Sequence, residues 1–294
     1  MRIGPVVFTG YIQFDYLAAA ARAADVDQFD ARRVRVQLTG PLVSGITWVV
    51  SAEATGAPAL RDAFVVVDYL PGATIRIGQL VMPYSLERFV ASSNTLEFTE
   101  RILIDLAPGR DAGVMVSNER PFFGWLSYGA GIVNGTGQNT RDDNDAKDAM
   151  LRLAVSPPRL AGLQLGVNAA RGEQPDGTRT RTGADINYEK RLYHVAVEFL
   201  RERAEDGRRT QDGFYVMGSW RIYPEAPRRA LHHVELAARY GRIDGADPRV
   251  DQWDLAVNYY VQRNVRFMCD VIVPGDPAPT DRGAGLHARV NIRF

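Results

Sequence analysis

Residues 284–294 read Ala-Gly-Leu-His-Ala-Arg-Val-Asn-Ile-Arg-Phe, and from Leu286 onward apolar and polar positions alternate without a break. Successive side chains of a strand point to opposite faces. Leu286, Ala288, Val290, Ile292 and Phe294 therefore share an apolar face, and His287, Arg289, Asn291 and Arg293 a wet, cationic one. The same split recurs at 46–53, where Ile46, Trp48, Val50 and Ala52 oppose Thr47, Val49, Ser51 and Glu53, and at 253–260, where Leu255, Val257 and Tyr259 oppose Asp254, Ala256 and Asn258. Helical periodicity is nearly missing. The chain reads as all-β.

Working outward from the C-terminal strand, such runs fall near 5–17, 29–40, 44–54, 60–69, 73–82, 111–118, 122–134, 147–157, 160–171, 181–189, 191–203, 211–223, 230–243, 250–262, 264–273 and 284–294, sixteen in all. Short turn-like connections (Leu70-Pro71-Gly72, Ser156-Pro157-Pro158, Gln262-Arg263-Asn264) alternate with longer polar ones at 135–146, 172–180 and 204–210. A meander with short turns at one end and longer loops at the other predicts a transmembrane antiparallel β-barrel of about 16 strands, in a single domain spanning 1–294. The competing reading is a soluble sandwich or propeller, which also alternates. Two features weigh against it. The runs are longer than the ~5–6 residues usual in soluble sheets, and their polar faces carry charges along most of their length. Aromatic rings near run ends (Phe8, Tyr16, Phe29, Tyr69, Tyr84, Phe122, Trp220, Tyr223, Tyr259, Phe294) fit interfacial girdles.

Composition narrows the function. The 294 residues are 46% hydrophobic and 24% charged, with 35 basic and 35 acidic residues, so the formal net charge is zero. That balance disfavours a nucleic-acid binder, which needs a basic excess, and a disordered tail. The single cysteine, Cys269, excludes an internal disulfide framework. It falls on a lipid-facing run with Val265, Phe267 and Val271, where it acts as a small hydrophobe. No apolar run reaches the ~18–20 residues of a spanning helix. No basic-then-apolar leader precedes the first strand, as expected either of a cytosolic protein or of a mature form whose signal peptide has been removed. With a barrel in view, the expectation is the mature form. Lys147 and Lys190 are the only lysines, so nearly all the positive charge is arginine, which grips oxyanions with paired donors.

One stretch, from Met82 to Arg110, sustains neither period and is the longest non-strand segment. Loops of that length are usually functional. It follows the fifth strand, so it is the third long-side loop, expected to fold into the lumen over about 83–110.

At this point the chain resembles the phosphate-selective porin O and P family of Gram-negative outer membranes. The residues that carry the resemblance are Gly10-Tyr11-Ile12-Gln13-Phe14-Asp15-Tyr16, Arg32-Arg33, Ile77-Gly78-Gln79, Pro83-Tyr84-Ser85-Leu86-Glu87, Glu100-Arg101 and Pro108-Gly109-Arg110-Asp111-Ala112-Gly113-Val114. It continues through Gly131-Ile132-Val133-Asn134-Gly135, Gly213-Phe214-Tyr215, Glu235-Leu236-Ala237-Ala238-Arg239-Tyr240 and Val257-Asn258-Tyr259-Tyr260. The resemblance implies a trimeric channel of the outer membrane, seated in lipopolysaccharide and phospholipid, whose inward loop carries an anion-selecting constriction. It implies that Arg101 is a central donor, that Arg88 stands for a basic residue after the Leu-Glu pair, that Ser92 and Ser93 match small hydroxyl residues, and that Arg33 belongs to a lumenal arginine series. Two departures separate the chain from phosphate-specific members: Tyr11 replaces an arginine in the first-strand Gly-x-x-Gln element, and lysine clusters are absent.

By parity the inward face collects Arg33, Arg35, Arg76, Arg152, Arg221, Arg239, Arg266, Arg289 and Arg293 with Asp15, Glu53, Asp185, Glu198, Glu235, Asp254 and Asp270. Such arginines either select anions by charge or pair with facing carboxylates and brace the barrel. For Arg88 and Arg101 the bracing partners would be Glu87, Glu97 and Glu100. His194, His232, His233 and His287 read as solvated lumen or turn residues and not as metal ligands, since His232 and His233 point to opposite faces. No nucleophile elbow, phosphate loop or dinucleotide fingerprint occurs, so no catalytic residue, metal or cofactor is expected. The function expected is a passive porin for small hydrophilic solutes with a modest anion preference, phosphate included, set by Arg88, Arg101, Ser92, Ser93, Arg33, Arg35 and Arg76. The alternative is a structural or adhesive barrel acting as anchor or receptor.

Overall fold

The structure is a computed structural model and describes residues 4–18, 27–56, 59–91, 96–118, 120–174, 177–204, 210–223, 233–245, 250–275 and 285–294. Alternating segments become strands in the predicted order: β1 (Val7–Leu17), β2 (Gln28–Val43), β3 (Ile46–Glu53), β4 (Ala59–Leu70), β5 (Ala73–Val81), β6 (Arg110–Ser117), β7 (Leu126–Val133) and β8 (Asp148–Val155). They continue as β9 (Leu163–Gln174), β10 (Gly177–Lys190), β11 (Tyr193–Ala204), β12 (Thr210–Ile222), β13 (His233–Asp244), β14 (Val250–Gln262), β15 (Val265–Pro274) and β16 (Gly285–Arg293). Each pairs antiparallel with its sequence neighbours. β1 pairs with β16, Tyr11 opposite Arg293 and Leu17 opposite His287, so the sheet closes and leaves no edge.

The exposure pattern decides between barrel and soluble sandwich. Large apolar side chains point outward, with Phe14 50%, Leu255 49% and Phe267 46% exposed, whereas Glu198, Glu235 and Asn258 are 0% exposed inside. A soluble sheet would bury the apolar face. Here the apolar face is the outer one, which is stable only in hydrocarbon. Cys269 lies on this outer face, as do the exposed rings of Phe8, Phe29, Tyr69, Trp220, Tyr223, Tyr259 and Phe294 near strand ends.

Three expectations need correction. The polar run 172–180 is not a long loop: β9 and β10 ladder through it until Gln174 faces Gly177, because an alternating Thr-Arg pattern satisfies strand pairing as well as an apolar one. The seventh strand starts at Leu126 and not at 122, since Phe122 donates and accepts across a tight turn to Leu126. Tyr84 is not part of an interfacial girdle; it is wholly buried at the start of the 82–109 segment. The short turns are as read: at Leu70-Pro71-Gly72-Ala73, Gly72 adopts φ +75°, and a Cβ there would lie 2.5 Å from the Phe122 ring.

An apolar core lies inside the cylinder. Met82, Tyr84, Leu86, Phe98, Ile102, Leu103 and Leu106 pack on Met150, Leu200, Tyr215, Met217 and Ile243 of the wall. Burying a side chain such as Leu103 stabilises by about 1.5–3 kcal/mol. The wall makes room with glycine: a Cβ at Gly213 would lie 2.5 Å from Leu106, and one at Gly241 2.2 Å from Ile102.

Candidate functional site

Beyond β5, the described residues 82–91 and 96–109 are stitched to inner side chains of β9 through β16. The turn Leu86–Val90 is wide, closed by Ala91 N–H to Leu86 O at 2.9 Å, and is preceded by Ser85 at φ 73°. Its free amides find wall acceptors. Ser85 N–H donates to Asn168 (3.1 Å), and Leu86 and Glu87 N–H donate to the Glu198 carboxylate (2.7 and 3.0 Å). Glu87 accepts the amides of Ile102 and Leu103 (3.2 and 3.0 Å) and pairs with Arg239 at 3.0 Å. Further along, Thr99 donates through its amide and hydroxyl to Asp270, and Asn258 donates to Glu97 O. Buried amides and charges are costly when unmatched, and on this side of the lumen most of them are matched, the exceptions including Arg266 Nε and Nη2 and Asp270 Oδ1. Three of the arginines there are equally committed, Arg152 to Asp185 (2.6 Å), Arg239 to Asp254 (2.7 Å) and Arg289 to Asp15 (2.7 Å), whereas Arg266 donates to the Tyr260 hydroxyl at 3.1 Å.

The opposite side differs. Between the 82–109 segment and β1–β5 lies a cavity of about 620 Å³. Arg32, Arg33, Arg35, Arg61, Arg88, Arg101, Arg110 and Arg293 line it, against two carboxylates among the described residues, Asp62 and Glu100. Some of these charges are answered. Arg110 forks onto Asp62 (2.8 and 3.1 Å), Arg35 pairs with Glu53 (3.0 Å), and Glu100 takes Arg32 (3.0 Å) and Arg289 (3.1 Å) with Arg33 at 3.9 Å. Others are not. Arg88 donates to the Ile104 carbonyl, and Nε of Arg61 is buried with no hydrogen-bond partner. Burial first, and then the charges of Arg101, Arg110 and Arg61, push the Arg88 guanidinium down to about 10. For Glu100 burial pulls upward, but the Arg32 hydrogen bond and the charges of Arg289, Arg32 and Arg33 override it and hold the carboxyl at about 2.

Two strand irregularities supply part of this charge. Between β1 and β2 the register passes from Gln13 opposite Arg33 to Asp15 opposite Asp30, so one extra residue sits in β2 and both Arg32 and Arg33 reach Glu100. Between β3 and β4 it passes from Ser51 opposite Asp62 to Ala52 opposite Leu60, which leaves Arg61 as the extra residue beside the inward Asp62. A bulge re-aims a side chain that strict alternation sends outward. Parity therefore assigned Arg33 and Arg35 but could not find Arg32 or Arg61, and Arg110 was hidden at a strand start.

Of the residues singled out from sequence, Arg33, Arg35, Arg88 and Arg101 come together at this cavity. Arg76 does not; it donates to Ser117 at 2.6 Å and lines a neighbouring cavity. Ser92, Ser93 and His232 lie outside the described residues. The expectation that Glu87, Glu97 and Glu100 brace the loop arginines is redistributed: Arg101 donates to the carbonyls of Glu87 and Ala91, Glu97 holds His194 at 2.6 Å, and Glu100 faces β2 and β16. The three described histidines are not solvated as expected. His287 is buried between Asp15 and Thr99, His194 bridges Glu97 and Asn187, and His233 stacks on Tyr260 at 4.1 Å. Asp15, Glu100 and His287 bring three donor atoms within 4.8 Å of one another, but the two carboxylates are already engaged by arginine, whose charge repels a metal ion.

The sequence matches the model of the family described as phosphate-selective porin O and P, over residues 6–191 and 171–274. The chain belongs to that family. It is an outer-membrane diffusion channel of Gram-negative type. No curated protein matches it in sequence. Solved structures share the fold of this porin at low identity. The outer membrane channel DcaP of Acinetobacter baumannii aligns with TM-score 0.68 at 11% identity, over 98% of this chain and 97% of that one. The trimer form of OmpT, an outer membrane protein of Vibrio cholerae, gives 0.65 at 11% over 99% of each. An anion-selective porin from Comamonas acidovorans gives 0.63 at 13% over 99% of each.

Proposed function

We propose that this porin passes small hydrophilic solutes without chemical conversion and favours anions, and that the preference is set by the arginines between β1–β4 and the 82–109 segment. The observation that carries the reading is the imbalance at one cavity of a chain whose formal net charge is zero: among the described residues, eight arginines line it against Asp62 and Glu100. Charge focused within low-dielectric walls raises the local concentration of counter-ions and excludes co-ions. Arg61 and Arg88 supply the charge that no short carboxylate contact removes, while Arg33, Arg35, Arg101 and Arg110 form the supporting ring. Arg76 is set apart from this ring, and the proposal makes no use of it. The shared fold with an anion-selective porin and with a trimeric outer membrane protein supports the anion preference and a homotrimer. The exposed apolar band on the outside supports contact with lipopolysaccharide and phospholipid.

Planar-bilayer recording of the refolded protein tests the proposal. Stepwise conductance with chloride favoured over potassium is expected. Absence of steps contradicts the channel, and potassium favoured over chloride contradicts the anion preference.

A further inference from the structure

The cationic cavity continues into a second one of about 480 Å³, and Asp62, Val81, Phe89 and Val90 line both. The chemistry changes at that shared rim. The second wall presents Phe64, Leu80, Phe89, Val90, Met115 and Tyr128. Its guanidiniums are engaged, Arg152 by Asp185 and Asn168, and Arg76 by Ser117. On one turn of the 82–109 segment, Arg88 supplies unanswered charge to the first cavity and the next residue, Phe89, supplies an aromatic surface to both. Chloride or inorganic phosphate uses only the first half of this arrangement, and a neutral sugar gains little from either.

Resting on the reading that the channel passes anions, we propose that its favoured solute class is the amphiphilic organic anion: a carboxylate or similar oxyanion held at Arg61 and Arg88, with an aromatic or branched apolar body lying over Phe89 against Phe64, Met115 and Tyr128. Arginine grips a carboxylate with parallel donors. A ring removed from water adds a term proportional to its area. Cavities of roughly 300–1,000 Å³ accept solutes of this size, and both cavities fall in that span.

The test compares block of chloride current in planar bilayers by benzoate, acetate and inorganic phosphate at neutral pH. Benzoate is expected to reach half-block at about tenfold lower concentration than acetate, equivalent to about 1.4 kcal/mol. Phe64→Ala and Phe89→Ala are each expected to shrink that ratio to about threefold or less, and Arg61→Gln to weaken block by both acids while leaving their ratio unchanged. Equal block by benzoate and acetate in a wild-type channel that still favours chloride overturns this inference and leaves the anion channel standing; tighter block by phosphate than by benzoate overturns it as well. A wild-type channel that does not favour chloride overturns the anion reading itself. The wild-type comparison requires no variant to fold.

Discussion

The two halves of the lumen use the same residue type for opposite ends. Along β8–β16, Arg152, Arg239 and Arg289 are almost completely buried and each lies against carboxylate, so the charges cancel and the result is mechanical: the 82–109 segment is fixed to the wall. Along β1–β4, arginines outnumber carboxylates around an open cavity, so charge is left over for solute. What separates bracing from selecting is not the guanidinium but the number of acceptors that the neighbouring strands and loop bring within reach.

The largest effect should come from breaking the braced half. Arg239→Ala leaves Glu87 and Asp254 as uncompensated buried charges, a loss of about 3–5 kcal/mol, read as earlier unfolding in urea or loss of the heat-resistant folded band on gels. Unchanged stability would mean that the pairs are not holding the segment. Next is the anchor at the turn. Glu198→Ala strands the amides of Leu86 and Glu87, each costing about 1–3 kcal/mol when buried without a partner. Noisier single-channel currents and faster proteolysis after the 82–109 arginines are the expected outcomes.

The selecting half should respond more in selectivity than in stability. Glu100→Gln removes the carboxylate shared by Arg32, Arg33 and Arg289, so the chloride-over-potassium ratio should rise, about twofold for one unit of charge in a focused site. Acid should not imitate it at moderate pH. Glu100 has its folded-state pKa depressed from 4.5 to about 2, so its stabilising contribution is full above 4.5 and is lost only as pH falls through about 2. The Glu100 contribution to selectivity should therefore be flat from pH 7 down to 5, measured as the difference between wild type and Glu100→Gln. The smallest effect belongs to the exposed pair Arg201–Asp212 on β11 and β12, 37% and 32% exposed, where Arg201→Ala should leave the urea unfolding midpoint almost unchanged.

How much of this was legible in the sequence follows the same division. Strand number, order and closure were readable, because half of every strand faces lipid and half faces the lumen, so period-two alternation survives even where overall composition is commonplace. Arg33 and Arg35 were readable for the same reason. Arg32 and Arg61 were not, since parity assumes an unbroken ladder and each sits at a bulge in its own strand that shows only in the register with the neighbouring strand. The inner apolar core was also hidden: Tyr84, Leu103 and Leu106 read as mixed loop residues until Gly213 and Gly241 are seen to leave space for that segment on the wall. The exchange of partners around Glu87, Glu97 and Glu100 depends on side chains far apart in sequence, a property that no local pattern carries.

The most direct test of the central claim is the reversal potential across a potassium chloride gradient for wild type and for the double variant Arg61→Gln, Arg88→Gln. The account predicts a chloride-selective potential in wild type and a shift of the permeability ratio toward unity by about threefold or more in the variant, with folding intact. An identical potential in the two proteins would contradict it, because the uncommitted arginines of the β1–β4 side would then have no part in choosing the ion.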